Sequence, residues 1–363
     1  MKNKKLIFDA HLDLAMNAIE WNRDLTRPLN EIRGKEMNMN DKPDRGRGTV
    51  CFPELRKGKV GLVVATQLSR CSFEASRFPG WNSPHQAWAM TQAQIAWYKE
   101  MEAIGEMVQI TNGEQLEKHY LLWNDESIPD IDKPIGYILS LEGADSLVNI
   151  SYLHRAYEYG LRAVGLSHFG PGRYASGTMT EDGITNLGWD LLKEMEALNL
   201  ILDVTHLTDR GFDEVIDEYT GPIWASHHNV RKLVPTQRQL TDSQIKKIIG
   251  RGGVIGAMFD CWALDVRFID KISDPWQLDI KMERLVDHWD HICQIAGNTF
   301  HVAIGSDLDG IFGTEQSPWD LNSISDLQKY QEVLLRRGYN DDDIDNLFHK
   351  NWLNFLYKAW SND

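Results

Sequence analysis

A repeated alternation constrains the fold of this chain more than any other feature. Eight short apolar, β-branched runs are interleaved with segments of helical periodicity along 363 residues. That pattern points to βα units and a parallel sheet. The runs cover residues 5–13, 60–69, 135–142, 162–168, 200–206, 223–227, 253–259 and 301–307. Several are continuously hydrophobic, as strands buried on both faces are. The helical segments carry their own signals. Leu191, Leu192, Met195 and Leu198 recur on one helical face ahead of the fifth run. Ser83-Pro84 reads as an N-cap followed by proline at the first helical position. Thr241-Asp242-Ser243-Gln244 reads as a capping box leading into Ile245, Ile248 and Ile249, and Gly250 with Gly252-Gly253 ends that helix. Eight strands interleaved with helices favour a closed (β/α)8 TIM barrel over an open sheet. No glycine-rich phosphate loop supports a nucleotide-binding open sheet. The whole chain, 1–363, is expected to be one such domain, because barrels of this kind run from ~200 to more than ~400 residues.

One stretch breaks the rhythm. Residues 17–58 contain Pro28, Pro43 and several glycines, with no strand pattern. Loops of that length are usually functional or disordered. Because it follows the first strand, it is expected to lie over the catalytic end as a lid or pocket wall.

Charge and cysteine content narrow the function classes. The chain has 38 basic and 53 acidic residues, a formal −15. That argues against nucleic acid or an anionic membrane as partner, since both demand basic patches. Cys51, Cys71, Cys261 and Cys293 form no CxxC pair, and their spacing suits neither a disulfide framework nor a thiolate zinc site. They are expected to be reduced and mostly buried. The apolar run after the basic start is only Leu6-Ile7-Phe8, too short for a signal-peptide core. A cytoplasmic enzyme is the expected setting, and a homodimer is left open.

The chemistry is written at the C-terminal ends of the strands, where barrel enzymes carry their catalytic groups. The first run ends Asp9-Ala10-His11-Leu12-Asp13; His11 and Asp13 are two apart, so they share one side of a strand and can share one metal. The third ends Leu141-Glu142-Gly143, and an ionised glutamate after an apolar strand is costly unless paired or metal-bound. Others end Ser167-His168, Asp203-Val204-Thr205-His206, Ser226-His227-His228 and Ser306-Asp307-Leu308-Asp309-Gly310. Each alone is a weak signal. Together, six strand ends bear His, Asp or Glu in a chain with 12 histidines. Imidazole and carboxylate without thiolate suit a catalytic zinc site. His85, His119, His154, His288, His291 and His349 lie in helical or loop patterns and read as surface or hydrogen-bonded residues; the tryptophans, among them Trp88, Trp97, Trp289 and Trp352, read as packing residues.

In this order the motifs resemble the membrane dipeptidase (renal dipeptidase) family of zinc metallopeptidases: HxD, Leu-Glu-Gly, Asp-Val-Thr-His, Ser-His-x-Asn, then Gly-x-Asp-x-Asp-Gly. The resemblance runs from residue 8 to about 357. It includes the segments 48–55 with 58–61, Arg238-Gln239-Leu240-Thr241-Asp242, and Gly338-Tyr339 with Asn351. It implies two zinc ions, one on His11 and Asp13, one on His206 and His227, with Glu142 bridging. It implies that His168 polarises the substrate, that Arg238 binds the substrate's C-terminal carboxylate, and that Asp307 lies beside the bridging water and the substrate amine. The implied activity is hydrolysis of small dipeptides, L,D-dipeptides included, by a metal-bridging hydroxide. Hydrolysis of another small amide or lactam with a free carboxylate is the alternative. The sequence departs from the family pattern at Leu12, Ala15, Val63-Val64-Ala65 and Ser167-His168-Phe169, and in the run Gly170-Pro171-Gly172-Arg173-Tyr174 that follows.

Overall fold

The computed structural model describes residues 3–73 and 79–361. Among these described residues there are nine strands: β1 (Ile7–Leu12), β2 (Val60–Leu68), β3 (Met107–Gln109), β4 (Ile135–Glu142), β5 (Leu161–Gly165), β6 (Ile201–Asp203), β7 (Ile223–Trp224), β8 (Ile255–Ala257) and β9 (Val302–Ile304). Every pairing is parallel. Eight of the strands follow the order β7-β6-β5-β4-β2-β1-β9-β8. The two ends of that path meet where Ala225 bridges to Ile255. There the Ala225 N–H donates to the Val254 carbonyl (3.0 Å) and the Gly256 N–H to the Ala225 carbonyl (2.8 Å). The sheet is therefore a closed parallel barrel, as the alternation implies. Closure depends on close backbone approach. A Cβ on Gly256 or Gly305 would lie 1.9 or 1.7 Å from the Ser226 carbonyl oxygen, so only glycine lets these strand ends draw together.

The strands stop earlier than the apolar runs do. β5, β6 and β7 end at Gly165, Asp203 and Trp224, several residues short of His168, His206 and His227. Side-chain carboxylates take over from the ladder. One Asp203 oxygen accepts the N–H groups of Thr205 and Ser226 (3.0 and 3.1 Å), and one Asp9 oxygen accepts those of His11 and Ser306 (3.2 and 2.7 Å). Each aspartate thus staples two neighbouring strand ends and lets the following residues turn inward. The short β3, which the sequence pattern does not reveal, pairs with the start of β4 outside the ring.

Outer helices pack onto the barrel through one continuous apolar core that includes the fully buried Trp123, Trp224, Trp289 and Trp352. Trp289 and Trp352 donate their indole N–H groups to the Ala303 and Ile304 carbonyls, tying helices Glu283–Ala296 and Asn351–Ala359 to β9. The expected caps form: Ser83 accepts from the Gln86 N–H, and Thr241 and Gln244 close a capping box. The four cysteines are free. Burial pushes the Cys51 and Cys293 thiols up to about 12 and Cys71 up to about 11, so they are inert at neutral pH. Among the described residues, no helix is long and apolar enough to cross a membrane.

Residues 17–58 are more regular than the sequence suggests. They hold helices Leu29–Glu36 and Phe52–Lys57, preceded by Leu14–Ile19. Helices of six to eight residues contain too few turns to show periodicity. A buried ionic hub orders the segment: Arg23 pairs with Glu36 (2.9 Å) and Asp44 (2.8 Å), and Arg45 with Glu36 (2.7 Å). Asp309, on the loop after β9, accepts the Thr49 N–H and hydroxyl and the Val50 N–H (2.6, 2.7 and 3.0 Å). Those bonds tie the segment to the loop after β9, and its Pro43 and Arg47 line the central cavity.

Candidate active site

The structure brings all eight residues singled out above to the C-terminal mouth of the barrel. Asp13, Glu142, His168, His206, Arg238 and Asp307 line one cavity of about 1180 Å³. His11 and His227 are buried against Glu142. Glu142 closes β4, and its two oxygens face different imidazoles. Oε2 lies 3.5 Å from His11 Nε2, while Oε1 lies 3.1 Å from His206 Nε2 and 3.4 Å from His227 Nε2. His11 Nε2 is also 3.8 Å from both Asp13 Oδ2 and Asp307 Oδ1. Three overlapping sets have ligand atoms within 4.8 Å of one another: His11, Glu142 and His227; Glu142, His168 and His206; His11, Asp13 and Asp307.

These groups fit divalent cations on chemistry as well as spacing. Among the described residues, His11 Nε2 and Asp13 Oδ1 are buried without a hydrogen-bond partner, and such atoms are costly unless something satisfies them. The outward nitrogens are occupied. His206 Nδ1 is 3.0 Å from the Thr178 hydroxyl, His227 Nδ1 is 2.9 Å from the Ser226 hydroxyl, and His11 Nδ1 is 3.5 Å from the Thr66 hydroxyl. Outer hydrogen bonds of this kind orient metal-binding imidazoles and leave Nε2 directed inward.

The electrostatics point the same way. Burial pushes the Glu142 and Asp307 carboxyls up, and the Asp13 charge adds to both. Burial lowers His206 and His227, with Arg238 contributing to each. Burial alone also lowers His11, but Glu142 and Asp13 outweigh it and raise the group well above the usual imidazole range. A divalent cation at the centre of this cluster would offset the buried carboxylates. Backbone strain concentrates here too. His206, Asp307, Asp309 and Ile311 have φ of 70°, 57°, 64° and 70°, a conformation that side-chain-bearing residues hold only when their surroundings over-determine it. Gly310 is required beside them, because a Cβ there would lie 1.9 Å from Asp307 Oδ1.

Arg238 is buried at the cavity wall. Its Nη2 donates to the His227 carbonyl (2.8 Å), while Nε and Nη1 have no hydrogen-bond partner among the described residues. Burial lowers the guanidinium to about 10, opposed by Asp307 and Glu142, so it stays charged at neutral pH. Two unsatisfied cationic donors at a cavity wall suit an anion.

Sequence reasoning missed other parts of the cavity. Trp262, Phe268, Ile269, Trp276, Phe312 and Trp319 give it an apolar wall, with Trp276 and Trp319 edge to face at 4.4 Å. Reading the tryptophans as packing residues is right for Trp88, Trp97, Trp289 and Trp352 and overlooks these three. Nothing in the pattern between β8 and helix Glu283–Ala296 distinguishes a wall from an ordinary loop. Arg70, just past β2, was also overlooked; its Nη1 lies 2.5 Å from His168 Nδ1.

Asp260 was a third omission. It lines the cavity, and burial pushes its carboxyl up to about 7 against hydrogen bonds from Gln316 and Trp262. A folded-state value above the unfolded one means a stability contribution that is complete below about pH 4 and is lost as the pH rises through about 7. Asp260→Asn is neutral throughout and does not suffer that loss. The metal-free variant is therefore expected to gain stability over the parent between pH 5 and pH 8, by on the order of a few kcal/mol. Urea unfolding at both pH values checks this; a difference that does not change with pH would exclude Asp260 as the titrating group.

Residues 1–361 match the family described as membrane dipeptidase (peptidase family M19). A Klebsiella pneumoniae protein encoded in the pqqA 5′ region is 31% identical over 238 residues, 63% of this chain and 84% of that protein. Two solved structures cover 99% of this chain with a TM-score of 0.78. One is the dipeptidase AC, a metallopeptidase of family M19, 24% identical with 99% of its chain covered. The other is a metallopeptidase from Rhodobacter sphaeroides bound to a phosphinate mimic of L-Ala-D-Ala, 22% identical with 100% covered. At these identities the structural likeness is one of fold.

Proposed function

The chain belongs to the membrane dipeptidase family of metallopeptidases, and from that premise we propose that it is a binuclear zinc dipeptidase acting on small dipeptides, L,D-dipeptides included. The observation that carries this reading is the divided environment of Glu142, one oxygen toward His11 and the other toward His206 and His227. On this reading His11 and Asp13 would hold one zinc and His206 and His227 the second, with Glu142 offering one oxygen to each side. Two zinc ions in that position would supply the acidity that ionises a water near neutral pH and a positive field for a tetrahedral intermediate. Asp307 Oδ1, 3.8 Å from His11 Nε2, receives the water's proton and returns it to the leaving amine. His168 Nε2 donates to the carbonyl oxygen as negative charge develops there. Arg238 Nε and Nη1 meet the substrate's terminal carboxylate and set the scissile bond's distance from the carboxylate cluster.

Arg238 separates a dipeptidase from a general amidase. A hydrogen bond to a charged group contributes roughly 1.5–3 kcal/mol, so Arg238→Met is expected to lower kcat/KM for a dipeptide by about one to two powers of ten. The corresponding dipeptide amide, without the carboxylate, should be a poor substrate already and lose far less. Arg238→Lys should recover only part, because a point charge does not reproduce the planar fork. The measurement is kcat/KM for L,L and L,D dipeptides and their amides with zinc-loaded protein. Equal losses on acid and amide would favour hydrolysis of some other small amide.

A further inference from the structure

Four imidazoles converge on Glu142, and they differ in what stands behind them. The Nδ1 atoms of His11, His206 and His227 face the hydroxyls of Thr66, Thr178 and Ser226. A hydroxyl donates or accepts, so each of these rings can carry its proton on Nδ1 and offer the Nε2 lone pair to a cation. His168 is different. Its Nδ1 lies 2.5 Å from Arg70 Nη1. A guanidinium has five donors, no acceptor and a permanent charge. Arg70 therefore donates, and His168 Nδ1 must present its lone pair. The ring proton is left on Nε2, and a second proton on Nδ1 would set N–H against N–H and cation against cation. The His168 side chain is only 9% exposed, so water has little access to relieve such a conflict. Nε2 lies 3.8 Å from Glu142 Oε1, and both residues line the cavity.

We propose that Arg70 is a positioning residue that fixes His168 as its Nε2–H tautomer, making it the hydrogen-bond donor among the four imidazoles and keeping it out of the cation-binding set. Distance alone groups His168 with Glu142 and His206 as a candidate ligand; the Arg70 bond decides against it, because a protonated Nε2 has no lone pair to give. The tautomer assignment rests on the Arg70 contact alone. Its catalytic consequence, a donor aimed at the carbonyl oxygen, rests on the dipeptidase reading above.

The test has two arms. In ¹⁵N-histidine-labelled protein, metal-free and zinc-loaded, long-range ¹H–¹⁵N spectra report the tautomer, with the His168 signals identified by their loss in His168→Gln. Wild type should show a protonated Nε2 and a bare Nδ1. Arg70→Lys, whose ammonium also only donates, should keep that pattern, and Arg70→Met should move toward a mixture of tautomers. A wild-type Nδ1–H form, an imidazolium, or an unchanged pattern in Arg70→Met would overturn the proposal; the wild-type spectrum decides even if that variant does not fold. In the second arm, Arg70→Met should lower kcat for a dipeptide by about tenfold or more with KM held within about threefold, the size expected for a misplaced oxyanion donor. In a His168→Gln background the same change should cost nothing further. A loss of equal size in both backgrounds, or one confined to KM, would show that Arg70 acts through something other than His168. The expected tautomer in a protein that cleaves no dipeptide would refute the dipeptidase reading and leave the Arg70 assignment intact.

Discussion

Glu142→Gln is expected to leave less than one zinc ion per chain after dialysis and to reduce dipeptide kcat/KM by about a thousandfold or more. Losing only an outer partner of a metal ligand costs about 10–100-fold, and Glu142 faces both imidazole sets directly. The glutamine keeps the shape and removes the charge, so both positions weaken together. His11→Ala, which touches one side, should retain one tightly held ion. Elemental analysis alongside kinetics distinguishes the two variants. Stability guards against a trivial explanation. Burial pushes the Glu142 carboxyl up, and the Asp13 charge pushes it further. Urea unfolding of the metal-free proteins should show Glu142→Gln folded under the assay conditions, so that the lost activity reads the lost metal. Two bound ions with near-normal turnover would sink the bridging assignment.

Arg23→Met is expected to destabilise the protein by about 3–5 kcal/mol, the cost of removing one member of a buried ionic group. Arg23 is 1% exposed and pairs with Glu36 and Asp44, themselves 4% and 0% exposed, with Asp309 3.8 Å away. Methionine preserves much of the volume and leaves those carboxylates without their cation. The loss should be greatest at neutral pH and shrink toward pH 5, because unpaired buried carboxyls take up protons more readily than paired ones. In wild type, burial raises the Glu36 carboxyl, but its bonds to Arg23 and Gly46 more than reverse that. The measurement is urea unfolding of wild type and variant at pH 7 and pH 5. A loss below 1 kcal/mol at pH 7, or one that does not vary with pH, would show that the hub is not what orders residues 17–58. Activity should fall as well, since the segment carries Pro43 and Arg47 to the cavity and receives Asp309 from the loop beside Asp307.

How much of this was legible beforehand differs by feature. Alternating apolar runs report burial on both faces, and burial is a local consequence of composition; that is why eight barrel strands and the His, Asp and Glu residues at their ends can be read from the chain. The capping signals at Ser83 and Thr241 are equally local and form as expected. Strand ends were overrun at β5, β6 and β7 because an apolar residue beyond the ladder looks the same as one within it; the Asp203 carboxylate that ends the pairing bonds Ser226, 23 residues away. The features that escaped are those whose partners are distant in sequence: Arg70 to His168 across 98 positions, Thr49 to Asp309 across 260, Asp9 to Ser306 across 297. Residue types and spacings alone determined the barrel and which side chains could take part in its chemistry. Only closure of the ring decided which of them meet, which oxygen of Glu142 faces which imidazole, and what stands behind each histidine, because those contacts exist only once strands far apart in the chain are brought side by side.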